Sequence, residues 1–203
     1  VNTDKLPEGK VSRELFALIA KALRVAELTD GAYDPTVIDL LEAYGYDKNN
    51  DFSCLQKPGF AAEIEIMASG SCSCRQNKLD PAGNTVQLQK LQRLDLGSIA
   101  KGYAVDLAYK ILDRNKFEGF LINAGGDIRA QGSNPEGIPW KVMLYRAQLP
   151  NQRIGTDQTL GMVALQNKSI AGSGGWARKV GIFHHLLNPR TGVPINGIAQ
   201  TYV

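Results

Sequence analysis

The stretch Asp95-Leu96-Gly97-Ser98-Ile99-Ala100-Lys101-Gly102 sets an acid, a glycine and small residues directly before a run with helical spacing. Backbone N–H groups at such a helix start lack intrahelical partners and carry partial positive charge, so they suit an anion. Lys101 falls in the first turn, where a cation opposes the helix dipole at a cost of about 0.3–1 kcal/mol. A phosphate held between the lysine and the helix end would offset that cost. A solvated lysine on a surface helix is the other reading. Glycines at 31, 97, 102, 125–126, 174–175 and 192 each stand beside an acid or polar residue. That distribution suits a backbone-lined pocket for a ligand with phosphates and a planar ring, although glycines also simply make turns. The order of glycine and lysine from Gly97 to Gly102 is not that of a P-loop. Gly125-Gly126 is not a dinucleotide fingerprint, because a strand pattern, not a helix, follows it.

Other chemistries find little support. No Ser/His/Asp arrangement, metal-binding histidine pair or C-x-x-C stands out. Cys72 and Cys74 could share one strand face, but two thiols are half a zinc site, and His184 and His185 would point to opposite faces. Cys54 completes an odd set of three that cannot form a full disulfide framework. A net charge of +3, with basic residues scattered, argues against nucleic acid as a partner. No run approaches the ~20 apolar residues of a membrane span. The sequence opens on Val1 without a methionine and stops at the first residues of a strand pattern, so truncation at both ends is expected.

The elements that must position these residues follow from periodicity. Ser12 is the expected N-cap of a helix whose stripe is Leu15, Leu18, Ile19, Ala22, Leu23 and Ala26, with Gly31 in the left-handed position after it. Asp34 as cap and Pro35 as first residue predict a second helix to about Tyr44, stopped by Gly45. Tyr33, just before it, is a packing staple or a stacking lid. Phe60 to Met67 reads as strand or helix. Residues 72–76, 78–80 and 85–88 read as strands, the last two joined by a turn at Asp80–Asn84. The helix after Asp95 is expected to bury Ile99, Tyr103, Leu107 and Ile111, with Ala100 and Ala104. A buried strand is expected over Phe117–Ile122, then strands at Ile128–Gln131, Trp140–Tyr145, Gly161–Leu165, Ser169–Ser173, His185–Leu187 and from Thr201, with a tight turn at Asn188–Gly192. Early helices followed by strands around one central helix predict an α+β domain, its sheet mostly antiparallel and packed with helices.

Taken together, four stretches resemble the FAD:protein FMN transferase (ApbE) family: Thr29–Val37, Asp95–Asp106, Asn123–Ile128, and Ser173-Gly174 followed by His185–Gly192. The resemblance extends over essentially the whole chain, as a single FAD-binding domain over residues 1–203. It implies a magnesium-dependent enzyme that cleaves the pyrophosphate of FAD, moves FMN onto a threonine of an acceptor protein and releases AMP. By position, Ala32, Tyr33, Asp34, Asp95, Lys101 and Leu187 would contact FAD, and Ser98 would offer its carbonyl to the metal. Gly125, Gly126 and Asp127 would shape the same cleft. The family's main metal ligands, an aspartate and a threonine, would fall beyond Val203, and a strand with a flavin-side tyrosine would precede Val1. No catalytic residue is assigned. The resemblance further implies a lipid-anchored, cell-envelope protein whose acceptor is an FMN-binding subunit of a membrane redox complex. An FAD storage module, or a pyrophosphatase without transfer, is the alternative. Asn188 stands where the family usually has aspartate, and Ile38-Asp39 where it usually has Gly-Pro.

Overall fold

The computed structural model describes residues 9–71, 74, 77–146, 159–175, 178–181 and 183–203. The chain divides into two compact units, one of Val1–Ile99 with Val180–Ile195 and one of Ala100–Lys179 with Asn196–Val203. The fold is α+β, and the strand pairings described are antiparallel.

In the first unit, helix α1 spans Arg13–Leu28 and opens as its sequence dictates, with Ser12 Oγ accepting the amide of Leu15 at 3.1 Å. Its stripe buries Leu18, Ile19, Ala22 and Ala26. The left-handed exit begins one residue earlier than expected, at Asp30 (φ 50°), and continues through Gly31 (φ 78°). Ile19 joins Val86 and Leu94 in a core that α1 shares with the hairpin of β1 (Lys78–Asp80) and β2 (Thr85–Gln87). Asp80 holds the turn of that hairpin, accepting the amides of Ala82 and Gly83. The strand expected over 72–76 lies outside the described residues, apart from residue 74.

Helix α2 is Ile38–Ala43, three residues shorter at its start than Asp34-Pro35 predicts. The Asp34 carboxylate is engaged with Thr36, and the carbonyl of Pro35 accepts the amide of Asp95 at 2.7 Å instead of a helical partner. A 3₁₀ turn at Ser53–Gln56 leads to α3, Phe60–Ser71. The ambiguous segment is therefore a helix. Its residues Phe60, Ile64 and Ala68, each four apart, meet Leu40 and Tyr44 in a second core. Phe183 and Leu187 pack against the same core.

Helix α4, Gly97–Arg114, begins in the first unit and runs on in the second. Here the expected face is wrong. Leu107 is 39% exposed and Ile111 59%, whereas Val105 is buried. Tyr109 rests edge to tilt on Phe120 (centroids 5.4 Å), and Arg129 pairs with Asp106 while lying 3.6 Å from the centre of the Tyr109 ring. Those contacts turn the Val105–Tyr109 side inward.

Strands β3 (Phe120–Ala124) and β4 (Asp127–Gln131) form a hairpin closed by Gly125-Gly126, with β7 (Ser169–Ile170) on the far side of β4. β3 starts three residues later than expected, leaving Phe117 exposed, and it is only partly buried. β5 (Trp140–Tyr145) and β6 (Thr159–Leu165) pair, and Val142, Leu144 and Val163 pack with Ile128, Ala130, Leu165 and Ile170 in the core of this unit. β8 (Gly172–Gly174) pairs with β9 (Gln200–Tyr202). The expected strand at His185–Leu187 is instead a bend, with one isolated bridge from Leu187 to Pro194. His184 enforces the bend: its Nδ1 accepts the amide of Leu186 at 3.2 Å, and its Nε2 lies 2.8 Å from the carbonyl of Ile195.

Candidate functional site

The candidate residues of the first unit gather around two loops. After α1, Thr29 Oγ1 bonds to the carbonyl of Val25 and accepts the amide of Tyr33 at 3.1 Å, while the Thr29 carbonyl accepts the amide of Ala32 at 3.0 Å. Ala32 is exposed at the crest of the loop. Asp34 is buried, and its Oδ1 accepts both the amide (2.8 Å) and the hydroxyl (2.6 Å) of Thr36. Asp34 thus braces the loop that carries Tyr33. Thr36, which the sequence reading passed over, is its buried partner; an Asp-x-Thr spacing was the available signal.

The second loop is the approach to α4. Asp95 Oδ1 accepts the amide of Gly97 at 2.9 Å, and the Asp95 amide is fixed by Pro35. This backbone bond ties the two loops together. A side-chain bond repeats the link: the Ser98 hydroxyl donates to the phenolic oxygen of Tyr33 at 3.2 Å. Burial pushes the Tyr33 hydroxyl above its ordinary value of 10.0; the Ser98 bond opposes this, while the Asp95 and Asp34 carboxylates add to it. Tyr33 is therefore a neutral phenol near pH 7, able to hydrogen-bond or stack but not to act as a base. Tyr33, Asp34, Asp95 and Ser98 are thus brought together. Leu187 also belongs to this unit, packed on the core of Tyr44, Phe60 and Ile64.

Lys101 lies three residues beyond Ser98 on α4 and belongs to the second unit. Its Nζ stands 3.2 Å from Asp127 Oδ1 and donates to the carbonyl of Gly125 at 3.3 Å. Lys101 is the fifth residue of α4, in its second turn and not in the first as expected, and its cation is matched to a carboxylate and a carbonyl of the β3–β4 hairpin. Gly125 (φ 59°) and Gly126 (φ 96°) form the two-residue turn, whose left-handed backbone favours glycine at both positions. Asn123 Oδ1 accepts the Gly126 amide at 3.0 Å and fixes that turn. Gly125, Gly126 and Asp127 thus position Lys101.

A metal fits poorly on these residues alone. Among the described residues no three His, Cys, Asp or Glu side chains gather where an ion could sit. The Ser98 carbonyl by itself is not a magnesium site. Cys54 and Cys74 form no disulfide among the described residues, and Cys72 lies outside them. No described helix is long and apolar enough to cross a membrane.

The fold is α+β, with Tyr33, Asp34, Asp95 and Ser98 gathered in the first unit and Lys101 held by a glycine hairpin in the second. The comparisons give it a family. Residues 1–203 match the ApbE family, and the chain belongs to it. It is 26% identical over 198 residues to the FAD:protein FMN transferase of Haemophilus influenzae, covering 96% of this chain and 56% of that protein. To the FAD:protein FMN transferase of Treponema pallidum it is 29% identical over 205 residues, covering 91% and 53%. The crystal structure of the ApbE protein of Thermotoga maritima superposes with a TM-score of 0.82 at 31% identity, over 98% of this chain and 63% of that one. The flavin transferase ApbE of Vibrio cholerae gives 0.77 at 25%, over 95% and 60%. The chain spans about half the length of the curated relatives it matches.

Proposed function

We propose that this chain is the FAD-binding part of an FAD:protein FMN transferase. The observation that carries the reading is the family match over residues 1–203, with the expected motifs falling on the Tyr33–Ser98 loops and on the Lys101 hairpin. In the proposed reaction a threonine hydroxyl of an acceptor protein attacks the phosphorus on the FMN side of the FAD pyrophosphate. The bond from that phosphorus to the bridging oxygen breaks, AMP leaves with that oxygen, and the hydroxyl proton passes to a base or to solvent. Such a reaction asks for positioning and charge neutralisation more than covalent chemistry. The α4 start and Lys101 would supply positive charge; Ala32, Tyr33, Asp34, Asp95 and Leu187 would hold the nucleotide. Magnesium, with the Ser98 carbonyl as one ligand, would add charge neutralisation in the whole enzyme. The acceptor would be an FMN-binding subunit of a membrane redox complex, and the enzyme would work at the cell envelope, lipid-anchored.

The test incubates the full-length protein with FAD, magnesium and a threonine-bearing acceptor domain. AMP release together with flavin that stays on the acceptor after denaturation is the expected result. AMP without attached flavin would make it a pyrophosphatase. Tight FAD binding with neither product would make it a storage module.

A further inference from the structure

The turn Asn188-Pro189-Arg190-Thr191-Gly192 buries Pro189 and Gly192 and exposes Arg190 and Thr191, and the contact to FAD implied for Leu187 leaves the turn itself without a role. Asn188 Oδ1 accepts the amide of Arg190 at 2.9 Å, and the Asn188 carbonyl accepts the amides of Gly192 (2.7 Å) and Thr191 (3.3 Å). The amide of Asn188 in turn bonds to the carbonyl of Val193 at 2.8 Å. An asparagine oxygen makes this turn as well as a carboxylate would, so the departure from aspartate leaves it intact. One end of the turn is seated on α3: a Cβ on Gly192 would lie 2.8 Å from Ile64 Cγ2 and 3.1 Å from Ala68 Cβ. Its other end reaches 160 residues back along the chain. There the Arg190 guanidinium donates to the carbonyl of Asp30 at 2.7 Å and to its carboxylate at 2.9 Å.

Asp30 is the residue at which α1 turns left-handed, two before Ala32. A non-glycine residue there needs support from its surroundings. The pair is solvent-exposed, with 65% of the Arg190 and 74% of the Asp30 side chain accessible, so it adds little to stability. Its geometry is nonetheless specific, one guanidinium nitrogen reaching both a backbone and a side-chain oxygen. Stability does not explain it; placement of the loop does.

We infer that Arg190 is a positioning residue: the Asn188–Gly192 turn, anchored on α3, holds the Thr29–Asp34 loop in the shape that receives the nucleotide. The nucleotide half of this inference rests on the FAD reading above. The clamp half stands on the contacts alone.

The experiment compares the full chain with Arg190→Ala and Arg190→Lys, by amide hydrogen exchange without ligand and by FAD titration. Loss of the clamp should speed exchange at the Gly31, Ala32 and Tyr33 amides and weaken FAD binding about tenfold, a usual size for coupling between neighbouring sites. The melting temperature should stay nearly constant, and Arg190→Lys, which keeps the positive charge without the guanidinium fork, should recover part of the affinity. Unchanged exchange in Arg190→Ala overturns the clamp. Faster exchange with unchanged FAD affinity overturns the positioning role. If the parent chain itself does not bind FAD, the functional reading fails, and the exchange data still decide the clamp.

Discussion

At the scale of single residues, Asp34 and Tyr33 do different work although they are neighbours. Asp34 is buried and accepts two hydrogen bonds from Thr36, so it is first a scaffold for the loop. Asp34→Ala strands the Thr36 donors and should cost about 1–3 kcal/mol in chemical denaturation. A loss within experimental error would show that water replaces the carboxylate. Tyr33 carries the pH dependence. Its hydroxyl is raised in the folded protein chiefly by burial, and burial alone likewise raises Tyr44. Below the unfolded-state value near 10 both states are neutral and the stabilisation is complete; above it the unfolded phenol ionises first. Stability should therefore fall as pH climbs from 10 through the folded-state values. Melting curves between pH 9 and 11.5, by approximate range, should show a shallower fall for Tyr33→Phe, with the share of Tyr44 remaining. An identical slope in the variant would place the Tyr33 hydroxyl in open solvent.

At the scale of elements, what was legible in the sequence is what local chemistry decides. The Ser12 cap, the Asp80 turn, the Asn188 turn and the whole of β5 follow from residues within a few positions of one another. What was not legible depends on distant partners. The start of α2 is delayed because the Pro35 carbonyl is taken by Asp95, 60 positions on. The inward side of α4 is set by Arg129 and Phe120, which outcompete the apolar spacing of Leu107 and Ile111. The strand pattern at His185–Leu187 yields to the bonds of the His184 ring. The candidate site divides the same way: its residues could be picked out by motif, but the Tyr33–Ser98 and Lys101–Asp127 pairs could not, since they join segments 65 and 26 positions apart. Gly192 is the junction where a substitution should be felt most. Its φ of 70° costs an L-residue about 1–2 kcal/mol, and an added Cβ presses on Ile64, an overpacking of similar size. Gly192→Ala should lower the denaturant midpoint by the equivalent of about 2–4 kcal/mol without changing the slope. An unchanged midpoint would mean that α3 yields freely.

At the scale of the whole molecule, one question separates the two readings of Lys101: whether it serves the fold or the ligand. Its Asp127 pair is partly exposed, with 44% of the lysine side chain accessible, and such pairs contribute about 0–1 kcal/mol. Lys101 is the fifth residue of α4, past the first turn, so removing the cation relieves only a residual conflict with the helix dipole, about 0.3 kcal/mol at most. Both effects are small, so Lys101→Ala should melt within a few degrees of the parent chain. Ligand linkage then isolates the other role. FAD at about 100 times its dissociation constant should stabilise the parent by about 2.7 kcal/mol, a rise of about 5–11 °C in Tm for a chain of this size. If Lys101 meets the pyrophosphate, the same FAD concentration should raise the variant by markedly less, while adenosine, which has no phosphate, should affect both proteins alike. A variant with a lowered Tm and a full FAD shift would make Lys101 a residue of the fold, its carboxylate and carbonyl partners on the β3–β4 hairpin being its whole purpose.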